Sequence, residues 1–88
     1  MTAEERLLDA GYENVPHFSN FAYDSALIGV TTDGRAIYDF NLMVDCLMEE
    51  EGWSDIEAIE WIEYNTIRAL PYMGAKAPII MYSLEDWE

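Results

Sequence analysis

The sequence predicts one small α+β domain: a three-stranded, mostly antiparallel sheet with helices packed on one face, in the order α-β-β-α-α-β. Three observations predict it. Two β-prone runs flank an Asp33-Gly34 turn. Two apolar stripes at helical spacing follow, each opened by a capping residue. A last β-prone run, Pro78-Ile79-Ile80-Met81-Tyr82, comes after the break marked by Pro71.

Taken in order, Thr2-Ala3-Glu4-Glu5 is a capping box. The Thr2 hydroxyl accepts from the Glu5 backbone N–H, and the Glu5 carboxylate reaches back. Leu7, Leu8 and Ala10 follow, and Gly11 offers a stop, so the first helix is short. From Tyr12 to Phe21 the residues Asn14, Pro16, Ser19 and Asn20 predict a loop, with Tyr12, Phe18 and Phe21 pinning it to the core. Tyr23 to Thr31 contains the run Ala26-Leu27-Ile28-Gly29-Val30, a first strand. Asp33-Gly34 is a hairpin signal, because glycine takes a positive φ without strain. Ala36-Ile37-Tyr38 returns as the second strand, and Arg35 reads as a solvated turn residue.

Asp39 is placed to cap the next helix. There Phe40, Met43, Val44 and Leu47 follow the i, i+3, i+4, i+7 pattern, widened by Leu42, Cys46 and Met48. Asp45, Glu49, Glu50 and Glu51 take the far side and the C-terminal end, where three glutamates oppose the helix dipole. Gly52 ends this helix. Ser54-Asp55-Ile56-Glu57 is a second capping box, opening a helix to about Ala69. Ile56, Ala58, Ile59 and Ile62 are expected on its inner side, with Glu57, Glu60, Glu63 and Tyr64 opposite and Trp61 on the border. Pro78 suits the start of a strand or an edge. The end of the chain, Ser83 to Glu88, is an acidic tail with Leu84 and Trp87 as candidate anchors.

With 88 residues there is room for one domain, spanning residues 1–88. An acidic tail without structure would lack aromatics; here they are 14% of the chain, so the chain is expected to fold with its charge outside. Eighteen Asp and Glu oppose four Lys and Arg, a formal net charge of −14. That field repels nucleic acid and anionic membrane, and it attracts a basic protein partner. Solubility alone is the plainer reading of the charge. The charge nevertheless exceeds the magnitude of roughly 2–8 usual for small domains. The start of the chain is charged and has no signal-peptide pattern, and no apolar run has a membrane span's length. A cytosolic location is expected.

Chemistry is thinly represented. His17 is the one histidine, and no second His or Cys completes a zinc site, so neither metal nor cofactor is expected. Cys46, on an apolar face without a basic neighbour in sequence, reads as a buried small hydrophobe. Among eighteen acids, close carboxylate pairs arise by chance, so no catalytic residue stands out. There is no glycine-rich phosphate loop and no calcium loop. An enzyme is not expected.

What remains is a surface. Asp45, Glu49, Glu50, Glu51, Asp55, Glu57, Glu60 and Glu63 lie along two consecutive helices, with Trp53 at the junction. Exposed helical carboxylates at i, i+3 and i, i+4 are about 5–6 Å apart, on the scale of phosphates along a DNA strand. Such a ridge fits a groove of Arg and Lys that evolved for phosphates. A merely solvated face is the alternative. Trp53 and Trp61 are the candidate apolar anchors; Trp53 also suits a hydrophobic staple before the Ser54 cap, packing on Ala58. Arg68 is expected to pair with Glu63 or Glu60.

Three stretches carry a resemblance: Ala26 to Asp39 (ALIGVTTDGRAIYD), Glu60 to Tyr72 (EWIEYNTIRALPY) and Pro78 to Met81 (PIIM). They resemble small acidic proteins encoded by phages and prophages of Firmicutes, over about residues 24–82. The group has no catalytic motif to carry over. The resemblance implies an accessory protein acting in a bacterial host's cytosol. Small acidic phage proteins of this kind include anti-CRISPR inhibitors, many of which occupy a basic nucleic-acid channel. The expectation is therefore an inhibitor whose partner is a basic CRISPR effector nuclease, with no direct nucleic-acid or membrane contact. The alternative is a structural or regulatory phage interaction module, such as a homodimer.

Overall fold

In the computed structural model, which describes residues 2–84, Asp39 closes one strand and opens the helix around which the core is built. Its side chain accepts from the backbone N–H groups of Asn41 (2.8 Å) and Leu42 (3.2 Å). These are two of the donors that the first turn of a helix leaves orphaned. The order of elements is α1 (Ala3–Asp9), a 3-10 helix (Phe21–Ala26), β1 (Leu27–Val30), β2 (Ala36–Asp39), α2 (Phe40–Glu51) and α3 (Asp55–Trp61). Next come a π-helical segment (Ile62–Ile67), a second 3-10 turn (Leu70–Met73) and β3 (Ile79–Met81). The order α-β-β-α-α-β and the three strands agree with the α+β expectation.

The local signals act as expected. Both capping boxes form, Thr2 with Glu5 and Ser54 with Glu57. Gly52 ends α2 at φ +72°, a conformation that a side chain would strain. The hairpin closes at Thr31 and Arg35, with Gly34 at φ +88° inside the turn. Among the described residues no helix is long and apolar enough to cross a membrane.

The sheet is mixed rather than mostly antiparallel. β1 pairs antiparallel with β2, but β3 joins the other edge of β2 in parallel, with Ile37, Tyr38 and Asp39 opposite Ile79, Ile80 and Met81. The cause is where the long connection comes back. Arg35 Nε donates to the Ala77 carbonyl (2.8 Å), and Lys76 Nζ donates to the Asp33 carbonyl. These bonds deliver the chain to the hairpin end of β2, so β3 must run the same way. Arg35 is thus an anchor of the crossover, not a solvated turn residue.

One face of the sheet, with Leu27, Ala36 and Tyr38, is buried in one cluster with Met43 and Leu47 of α2, Ala58 of α3 and Ile62. Phe18, Tyr23 and Tyr38 form its aromatic centre; the Phe18 ring lies 4.6 Å from that of Tyr38, tilted, and meets that of Tyr23 edge to face at 5.6 Å. Each buried hydroxyl has a partner. Tyr38 Oη accepts from the Phe18 backbone N–H (3.1 Å), and Tyr23 Oη shares a hydrogen bond with Thr66 Oγ1 (2.8 Å). The second bond ties the first 3-10 helix to the π-helical segment.

Several expectations are corrected. Residues Phe21–Ala26 are helical, capped by the Asn20 side chain on Ala22 N–H, so the loop and strand share less of this stretch than expected. Phe18 pins the loop, whereas Tyr12 stays largely exposed; for Phe21 only the backbone is described. Ile56 is 65% exposed, because it flanks the Ala58–Ile62 line that faces the core. Leu84 is 80% exposed and anchors nothing. Trp87 lies outside the described residues.

Candidate functional site

The capping box fixes the start of α3, and with it the face that α3 turns outward. Ser54 Oγ accepts from Glu57 N–H (3.2 Å), and Glu57 Oε1 accepts from Ser54 N–H (2.9 Å). Ala58 and Ile62 then point into the core. Residues a half-turn away point out, and these are Glu57, Glu60 and Tyr64, flanked by half-buried Trp61.

Together with Trp53 and Glu63 these side chains line an open groove of about 670 Å³ along α3. The Trp53 and Trp61 rings meet at 6.0 Å between centroids, tilted by 42°. Both indoles also pack against the core cluster, which holds them in place. Trp53 is therefore half-buried beside Trp61. Arg68 lies over the Tyr64 ring, its guanidinium carbon 4.6 Å from the centroid. That replaces the ion pair expected with Glu60 or Glu63: the aromatic face lies one turn before Arg68 on the same helix.

The carboxylates of α2 are exposed as expected. Glu49 and Glu50 line a separate groove with Arg6, Asp24, Ser25 and Cys46. Asp45, Glu51 and Asp55 are exposed outside both grooves. Asp55 Oδ1 accepts from the Ile56 backbone N–H (2.8 Å), and Glu57 is engaged by the cap, so these two are held more firmly than the rest.

Among the described residues each cation has a partner other than a carboxylate of α2 or α3. Arg6 donates to the Asp24 carbonyl, Arg35 to the Ala77 carbonyl, and Arg68 covers Tyr64. Lys76 pairs with Asp33 (3.9 Å) in the hairpin turn. These are the four Lys and Arg of the chain, and among the described residues none forms an ion pair with a carboxylate of α2 or α3. Further exposed acids, Glu4, Asp9 and Glu13, lie on and after α1. The negative charge is therefore spread beyond the two helices, but its aromatic lining is concentrated along α3.

His17 and Cys46 each have a hydrogen-bonding partner nearby. His17 Nδ1 is 3.1 Å from the Val15 carbonyl. Cys46 is half-buried rather than fully buried, with Sγ 3.1 Å from Ser25 Oγ. Burial raises the thiol above its ordinary range, the hydrogen bond from Ser25 offsets part of this, and the charges of Glu49, Asp45 and Glu50 raise it further. Since the thiolate is the nucleophile, Cys46 is expected to react with iodoacetamide more slowly than a cysteine in a short peptide at neutral pH. Its rate is expected to climb only above the ordinary thiol range. Alkylation followed by mass spectrometry over pH 7–10 checks this; a rate equal to the peptide's at neutral pH contradicts it. Among the described residues no cluster of three or more His, Cys, Asp or Glu is arranged to hold a metal ion.

Tyr64 is the site residue that the sequence reading left out of the candidates. The signal was there: Trp53, Glu57, Trp61 and Tyr64 recur at helical spacing, and Arg68 continues the row. Comparisons with family models, with curated proteins and with solved structures find no match for this chain.

Proposed function

We propose that the chain is a non-catalytic inhibitor of the anti-CRISPR kind, acting in a bacterial cytosol. It seats the carboxylates of α2 and α3 in a basic nucleic-acid-binding surface of a CRISPR effector nuclease. One observation carries this reading: those carboxylates are exposed, and among the described residues none of the four Lys and Arg pairs with them. Self-neutralisation would remove the attraction for a partner; here the full field is offered outward. Helical spacing holds the charges about 5–6 Å apart, so they substitute for phosphates as a DNA mimic does. The phage setting rests on the resemblance carried by Ala26–Asp39, Glu60–Tyr72 and Pro78–Met81.

The test is competition. A purified, guide-loaded CRISPR effector and labelled target DNA are titrated with the protein at low and at high salt. Competitive displacement of DNA, weakened at high salt by screening, is expected. Undiminished DNA binding at saturating protein, or inhibition indifferent to salt, overturns the reading.

A second reading, a dimerising phage interaction module, is favoured by exposed apolar side chains on several elements, Tyr72 at 90% and Tyr82 at 64% among them. Light scattering separates the two: the inhibitor reading expects a monomer when the protein is alone, the module reading a dimer.

A further inference from the structure

The groove along α3 has a chemistry that acidity alone does not supply. We infer that it is a receptor for an arginine side chain of a basic partner, with the guanidinium stacked on the open faces of Trp61 and Tyr64 and closed in by Glu60 and Glu63. This deepens the reading above and rests on its identification of α3 as an interface.

Three features of the groove point to that occupant. Its lining includes two indoles, held by the core rather than free to collapse, and the exposed phenol of Tyr64. A planar guanidinium stacks on such faces while its N–H groups reach carboxylates at the edge. Its rim is entirely anionic, from Glu57, Glu60 and Glu63, in a chain of net charge −14, so a cation is the complementary guest. Finally, the chain places one guanidinium there itself: Arg68 already lies 4.6 Å over the Tyr64 ring. An aliphatic guest would leave Glu60 and Glu63 without a cationic partner, and an anionic guest would be repelled.

Arginine is favoured over lysine for a geometric reason. The ammonium of lysine is a compact, strongly hydrated charge; it meets one carboxylate or one ring face. The guanidinium is planar, is more weakly hydrated and serves both at once. The resident Arg68 also makes a prediction of its own. It covers the Tyr64 ring with the same group that the guest would bring, so its removal frees a ring face and takes away a like charge.

The experiment uses the full chain and two short fluorescein-labelled peptides of equal charge and length, one arginine-rich and one lysine-rich, with binding read by anisotropy. The arginine peptide is expected to bind about three- to tenfold more tightly, the scale of one well-placed cation–π contact. Tyr64→Ala and Glu60→Gln both alter exposed side chains and keep the fold; each is expected to erase most of that preference. Arg68→Gln is expected to raise affinity for the arginine peptide more than for the lysine peptide. Equal affinities, or a preference untouched by Tyr64→Ala and Glu60→Gln, overturn the groove assignment. If the chain still competes with DNA on a CRISPR effector in that case, the wider reading stands without the receptor; loss of competition alongside an intact arginine preference does the reverse.

Discussion

Tyr38→Ala is expected to leave the chain largely unfolded at 25 °C. A domain of this length has roughly 4–13 kcal/mol of stability. Removing a buried aromatic side chain costs about 3–5 kcal/mol. Tyr38 is fully buried, and its ring packs against Phe18 at the centre of the core. The substitution also strips the Phe18 backbone N–H of its acceptor, and a buried orphan donor costs about 1–3 kcal/mol more. Together these losses, about 4–8 kcal/mol, are as large as the whole stability expected of a domain in the lower half of that range. Tyr38→Phe separates the two contributions, since it keeps the ring and loses only the hydroxyl. It is expected to fold with a stability lower by about 1–3 kcal/mol. Urea titrations followed by circular dichroism give both values; a Tyr38→Phe protein as stable as the parent contradicts the role given to the hydroxyl.

Tyr38 and the equally buried Tyr23 set an alkaline limit. Burial raises the phenols of Tyr23 and Tyr38 above the ordinary tyrosine range, against the opposing effects of their hydrogen bonds. A raised pKa in the fold means that the protonated form is favoured there. Its contribution to stability is whole below the unfolded tyrosine pKa and is lost as pH rises through the folded value. Unfolding above about pH 10 is therefore expected to be steeper in the parent than in Tyr38→Phe.

Much of this fold is legible because its signals are local. Asp39, Ser54 and Thr2 each need only the next three residues to act as caps, and Gly34 and Gly52 need only their own φ. What escapes the sequence is what distant contacts decide. Nothing in Ile79-Ile80-Met81 says which way the strand runs; Arg35 and Lys76 settle it by holding the returning chain beside the hairpin. The apolar residues around Ala26 and Leu27 hide the helical turn before them, since that turn is fixed by the Asn20 cap and by Tyr23 reaching Thr66. The site shows the same division. That α2 and α3 expose their carboxylates follows from helical spacing. That these fall into two grooves, one aromatic and one shared with Arg6 and Asp24, depends on how the helices lie against their neighbours.

That division makes position, rather than total charge, the decisive test of the acidic face. Reversing Glu49, Glu60 and Glu63 to lysine changes the net charge from −14 to −8, since each substitution adds two. Reversing Glu4, Asp9 and Glu13 gives the same −8 on the α1 side. Glu57 is left alone in the first set because its carboxylate holds the Ser54 cap, and its loss would confuse binding with helix stability. If the net field alone drives association, the two variants weaken equally, and mainly in on-rate. If the carboxylates of α2 and α3 enter a cationic groove, the first variant meets like charges at contact distance. Its affinity for the effector is then expected to fall about a hundredfold or more, equivalent to roughly 3 kcal/mol, largely through faster dissociation. The α1 variant is expected to lose about threefold or less, most of it recovered when salt screens the parent to the same degree. Surface plasmon resonance on the immobilised effector resolves both rates. Equal losses in the two variants leave a charged but unspecific surface and remove the case for mimicry of phosphates along α2 and α3.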